Sequence, residues 1–94
     1  MRSKYIAGTV PTGFLSCQVA IVFPEVLNHK DVARQMGMRD ITSAGFVKLD
    51  VDEHEYVIKL YGNSVSLKVE SNTEDTRLVA EALGLQYHEW KPSH

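Results

Sequence analysis

Phe46-Val47-Lys48-Leu49-Asp50-Val51-Asp52 alternates without a break, with Val47, Leu49 and Val51 on one side and Lys48, Asp50 and Asp52 on the other. A period of two is the mark of a half-buried strand, because successive side chains of an extended chain point to opposite faces. Asp52-Glu53-His54 follows as a turn, residues 55–61 read as a second strand, and Gly62-Asn63-Ser64 leads into a third at 65–69. Residues 46–69 are therefore predicted to form an antiparallel meander.

Toward the N-terminus, residues 4–10 and 17–23 are rich in strand formers and are joined across Pro11-Thr12-Gly13, which suits a hairpin. The second of these strands sets Cys17, Val19, Ile21 and Phe23 on one face and Ala20 and Val22 on the other, so it is predicted to be central in its sheet. Pro24 ends it. Asn28 then caps a helix over 29–36, with Asp31 in its first turn, Leu27 stapled onto Val32, and Gly37 as its stop. Toward the C-terminus, Asn72 caps a second helix whose apolar face is Leu78, Val79, Ala82 and Leu83. Arg77 and Glu81 pair at four-residue spacing, Gly84 ends the helix, and Leu85 folds back on its last turn. A short closing strand is predicted at 86–90, before a frayed tail from about residue 91.

The expected fold is a single α+β domain over 1–94, of order ββαβββαβ. It has two layers: an antiparallel sheet of five or six strands with two short helices on one face. The segments around Val32 and Val79, 47 positions apart, end alike in Met36-Gly37-Met38 and Leu83-Gly84-Leu85. A degenerate ββα duplication would account for this and places both helices on the same sheet.

Bulk properties narrow the function. The 94 residues are 44% hydrophobic and 23% charged, a globular composition with room for one core. The net charge is −2 and the basic residues are scattered, which disfavours nucleic acid as a partner. Cys17 is the sole cysteine, so no intramolecular disulfide or multi-cysteine zinc site can form, and a reducing compartment fits. Residues 1–8 lack the apolar stretch of a signal peptide, and no run approaches the ~18 apolar residues of a membrane span, so the expected location is cytoplasmic.

Several segments invite a chemical assignment. Residues 29–38, His29-Lys30-Asp31-Val32-Ala33-Arg34-Gln35-Met36-Gly37-Met38, match the first helix and turn of a helix-turn-helix, which makes a DNA-binding regulator acting through 29–46 one alternative. Its second helix would have to occupy 39–46, where Ser43 takes an apolar position and Gly45 sits inside. Asp50, Asp52, Glu53, His54 and Glu55 crowd one turn, so a small metal- or ligand-dependent enzyme using 50–55 is the other alternative, although the spacing is not that of a calcium loop. Cys17 falls on a predicted apolar face and reads as a buried, inert thiol. Ser64 and Ser66 lead into a predicted strand, unlike a nucleophile elbow, and neither a phosphate loop nor a dinucleotide fingerprint is present. No catalytic, cofactor-binding or metal-ligating residue is assigned.

What remains is surface. Phe46, Val57 and Tyr61 share the sheet face opposite Val47, Ile58 and Leu60. If the helices cover only one face, this aromatic one is left as an interface, which Tyr87 and Trp90 are expected to join. The expectation is a non-enzymatic accessory protein acting through protein–protein interaction, with itself as a homodimer and with a further unidentified protein.

Residues 61–75, from Tyr61-Gly62-Asn63-Ser64 to Asn72-Thr73-Glu74-Asp75, together with Ala82-Leu83-Gly84-Leu85, resemble small uncharacterised proteins carried by bacterial prophages and integrated elements. In these a Gly-x-Ser-x-Ser-Leu strand leads into a Glu-Asp helix start. The resemblance covers the last third of the chain, brings no activity or site residues with it, and implies a bacterial or phage accessory protein.

Overall fold

The structure is a computed structural model that describes residues 2–13, 15–52 and 55–85. In chain order these form β1 (Ser3–Thr12), β2 (Leu15–Pro24), α1 (His29–Gln35), β3 (Arg39–Asp52), β4 (Glu55–Tyr61), β5 (Asn63–Ser64), β6 (Val69–Glu70), a 3-10 turn (Thr73–Asp75) and α2 (Thr76–Ala82). The α+β class with an antiparallel sheet and two short helices is as expected. The strands divide into a four-stranded sheet of order β2-β1-β3-β4 and a separate two-stranded β5-β6 ladder. The closing strand predicted at 86–90 lies outside the described residues.

Both helices carry the local signals read from the sequence. The Asn28 side chain accepts from the N–H of Lys30 and of Asp31, and the Asn72 side chain accepts from that of Glu74. Each helix closes in the same hydrogen-bond pair, Gly37 to Arg34 with Met38 to Ala33, and Gly84 to Glu81 with Leu85 to Ala80. This is a Schellman ending. Neither two-turn helix is stable by propensity alone, so packing holds both.

The sheet is covered on both faces, which corrects the two-layer expectation. Tyr5, Ile6 and Ala7 are consecutive and all fully buried, a pattern a strand can show only when something packs on each side of it. Tyr5, Ala7, Ala20, Val47, Ile58 and Leu60 meet Val79 and Ala80 of α2. Ile6, Phe23 and Ala44 meet Ala33 of α1 on the opposite face, where Leu67 and Val69 extend the cover. A two-fold relating the antiparallel neighbours β1 and β3 would stand perpendicular to the sheet and keep both helices on one face. The opposed helices therefore leave only the shared Schellman ending of the supposed duplication.

Three further expectations are corrected. β2 has apolar residues on both faces, yet among the described residues it pairs only with β1 and is an edge strand. β3 begins at Arg39 rather than at 46, so residues 39–46 are extended where a helix-turn-helix needs its second helix. Residues 65–68 form a turn instead of a third meander strand. There the Ser64 hydroxyl accepts from the Leu67 N–H at 3.2 Å, the Ser64 carbonyl accepts from Lys68 at 2.8 Å, and Val65 is left exposed.

Candidate interaction surface

Two buried polar clusters fix the frame on which any surface is displayed. On the α2 face, the Tyr5 hydroxyl donates to Asp75 Oδ2 at 2.9 Å, the Ser43 hydroxyl donates to the same oxygen, and the Asn72 N–H donates to Tyr5 Oη at 2.9 Å. Burial pushes the Tyr5 phenol well above its usual pKa, so it remains a donor across the neutral range. Tyr5, Ser43 and Asp75 are all buried. The cluster therefore ties the start of α2 to β1 and β3 and offers no open hydroxyl to a substrate.

On the other face, His29 is buried edge-on to Phe23 and Phe46, with centroids 5.4 and 6.1 Å away. Its Nε2 lies 3.0 Å from the Gly45 carbonyl. A carbonyl only accepts, so the neutral ring carries its proton on Nε2. Burial holds the pKa of His29 below the usual histidine value; the Gly45 carbonyl opposes this, and the positive charge of Lys4 adds to it. The unfolded chain takes up this proton near pH 6.5 while the folded chain resists it. Stability is expected to be full above pH 6.5 and to fall as pH drops below it. Urea midpoints at pH 7.5 and 5.5 should show a smaller difference in His29→Gln than in the parent, and equal differences would refute the assignment.

Among the described residues the sheet has two edges of different character. β4 is the shorter and carries Glu55 and Lys59. β2, Leu15–Pro24, runs ten residues with no charged side chain and with proline only at its end. Its first four residues are exposed, because the hairpin extends past the helix cover; Leu15 is 72% exposed. Cys17 is exposed with them, correcting the buried thiol expected from alternation.

The direction of the β2 backbone groups follows from one residue. Antiparallel rungs alternate between bonded and non-bonded pairs, and Pro11, which has no N–H to give, sits opposite Ser16. The bonded rungs are then Val10 with Cys17, Gly8 with Val19, Ile6 with Ile21, and Lys4 with Phe23. Ser16, Gln18, Ala20 and Val22 consequently turn their N–H and C=O groups away from β1. Beside this edge, Val19 and Ala20 form with Leu78, Glu81 and Ala82 of α2 a cleft of about 190 Å³.

The residues named from the sequence are only partly brought together. Phe46 pairs with Tyr61 across β3 and β4, and their rings stack at 5.6 Å. The Arg2 guanidinium lies 5.3 Å from the Phe46 centroid. Val57 opposes Asp50, four residues along the same face, where Lys48, Asp50 and Lys59 are exposed. The expected aromatic face is thus half-covered by His29 and Arg2 at one end and charged at the other. Tyr87 and Trp90 lie outside the described residues, as do Glu53 and His54 of the acidic turn. Among the described residues no group of three or more His, Cys, Asp or Glu is placed to hold a metal ion, and no helix is long and apolar enough to cross a membrane. Sequence reasoning missed the β2 edge, although its lack of any charge from Leu15 to Pro24 was available as a signal.

No family model matches the chain, and no match was found among the curated proteins or the solved structures.

Proposed function

We propose that the chain is a non-enzymatic, cytoplasmic protein-interaction module that binds by strand addition along β2. This suits an accessory protein such as those its last third resembles. The observation that carries the proposal is the uncharged ten-residue edge. Exposed edges invite pairing, and folded proteins usually blunt them with lysines, internal prolines or bulges. β2 has none of these along its pairing with β1, which runs unbroken from Pro24 to Leu15. Strand addition draws affinity from main-chain hydrogen bonds and specificity from alternate side chains, here those of the exposed Ser16 and Gln18 with Leu15 and Cys17.

The test uses extended peptides selected from a random displayed library on the full-length chain, followed by amide shifts at a concentration where the chain is monomeric. Perturbation is expected at Ser16, Gln18, Ala20 and Val22 and not along β4. Gln18→Pro removes an outward N–H and no bond to β1, so it should abolish peptide binding while costing no more than about 1 kcal/mol of stability. Peptides that bind the Gln18→Pro protein as well as the parent would overturn strand addition.

A further inference from the structure

We infer that the segment β2 captures carries a lysine or arginine opposite Ala20, whose stem enters the cleft between β2 and α2 and whose charge meets Glu81; this deepens the strand-addition reading above and rests on it. The register of β2 decides which side chains of an added strand reach the cleft. Residues directly opposite each other in a ladder point to the same face. Ala20 belongs to the cluster formed with Val79 and Ala80 of α2, whereas Phe23 and Ile21 belong to the one formed with Ala33 of α1. A residue bonded to Ala20 from outside therefore sends its side chain to the α2 face. Ala20 ends at Cβ and leaves room beside it.

α2 reaches this rung with its last turn. It starts over β1 and β3, where Tyr5 and Ser43 hold Asp75, and crosses to β2, where Leu78 and Ala82 line the cleft with Ala20. The cleft holds about 190 Å³. That is below the ~300–1,000 Å³ of small-molecule sites and is scaled to a single side chain. Glu81 is the only charged residue in its lining, and the Glu81 side chain is 56% exposed.

Apolar walls with a carboxylate at the open side select among possible guests. An aliphatic side chain would take water from Glu81 and return no hydrogen bond, and an acidic one would meet like charge. Lysine or arginine lays its stem on the walls and keeps its head in water beside the carboxylate. The carbonyl end of a helix also attracts positive charge, yet α2 has no basic residue in its last turn, whereas α1 has Arg34. The net charge of −2 draws a basic segment as well. Arg77 contacts Glu81 at 3.4 Å from one turn back on the helix. Exposed pairs of this kind contribute little, so the carboxylate can be shared with an incoming cation.

The test uses displayed-library peptides that bind the parent and lose binding to Gln18→Pro, for which strand addition is already met. Intermolecular nuclear Overhauser effects identify the peptide residue opposite Ala20, which is expected to be lysine or arginine. Replacing it with glutamate should weaken binding about fivefold. Glu81→Lys should weaken the basic peptide by a similar factor and favour the glutamate peptide, the reversal expected of a direct charge contact. Glu81→Gln, the milder change, should act in the same direction. Glu70→Lys alters the net charge equally from β6, whose Val69 packs on the α1 face. At physiological salt, where charges are screened over ~8 Å, it should leave the affinity unchanged. A neutral or acidic residue opposite Ala20, a basic peptide indifferent to both Glu81 variants, or one weakened as much by Glu70→Lys overturns the basic guest and leaves strand addition standing. Peptides that bind Gln18→Pro as well as the parent, or a library that yields none, overturn strand addition and this inference with it.

Discussion

Asp75→Ala is expected to lower the unfolding free energy by about 3 kcal/mol, the sum of two buried hydroxyls losing their acceptor at ~1–3 kcal/mol each, less what local relaxation recovers. In a chain of this length each kcal/mol moves the melting midpoint by roughly 4–8 °C, so the loss is easily seen by circular dichroism. The size follows from where the carboxylate sits. Tyr5 and Ser43 belong to β1 and β3, Asp75 to the turn that opens α2, and all three are sealed from water. Without the carboxylate, the Tyr5 proton loses the acceptor it uses, while the Asn72 N–H still donates to the Tyr5 oxygen.

A cycle separates this from ordinary cavity formation. Tyr5→Phe removes the donor and keeps the ring, so Asp75→Ala made in the Tyr5→Phe background should cost clearly less than in the parent. Groups sharing one network are non-additive, by ~0.5–3 kcal/mol. Strict additivity, or an Asp75→Ala loss below about 1 kcal/mol, would mean that the α2 face is held by Val79 and Ala80 alone.

What could be read from the sequence divides along a physical line. Features fixed within a few residues were legible: the Asn28 and Asn72 caps, the glycine endings of both helices, and the alternation that puts Phe46 and Tyr61 on one face of the sheet and Val47 and Leu60 on the other. Features fixed from elsewhere in the molecule were not. Asp40-Ile41-Thr42-Ser43-Ala44-Gly45 is poor in strand formers, and it is extended because Ser43 reaches Asp75 and Ala44 packs among Ile6, Phe23 and Ala33. Val65, Leu67 and Val69 alternate convincingly, yet the Ser64 side chain bends the chain before any ladder forms.

The interaction surface was obscured for a related reason. Two apolar faces on β2 showed that both sides are covered, and that was mistaken for two hydrogen-bonded neighbours. Burial above and below a sheet says nothing about pairing within it. Likewise, the shared face of Phe46, Val57 and Tyr61 followed from periodicity, whereas its cover by α1 depends on how the chain crosses the sheet.

Gly45→Ala should cost about 2–3 kcal/mol, in a residue where neither backbone angle nor helix propensity gives warning. A Cβ at this position would lie 2.6 Å from the Tyr61 carbonyl oxygen and 2.9 Å from Ser71 Cβ. The first of these is backbone, held in place where the β3–β4 ladder reaches its last rung, Phe46 with Tyr61, so it cannot swing aside as a side chain would. The shift must instead open that rung, loosen the Phe46–Tyr61 stack and draw the Gly45 carbonyl from His29. Gly13→Ala is the matched control: φ there is +64° but the space is open, so only the left-handed strain of ~1–2 kcal/mol applies. Urea unfolding should rank Gly45→Ala as the more damaging, with amide shifts spreading to His29 and Tyr61. The reverse order, or shifts confined to residues next to 45, would show that β4 yields at little cost and that the close approach does not hold the two strands in register.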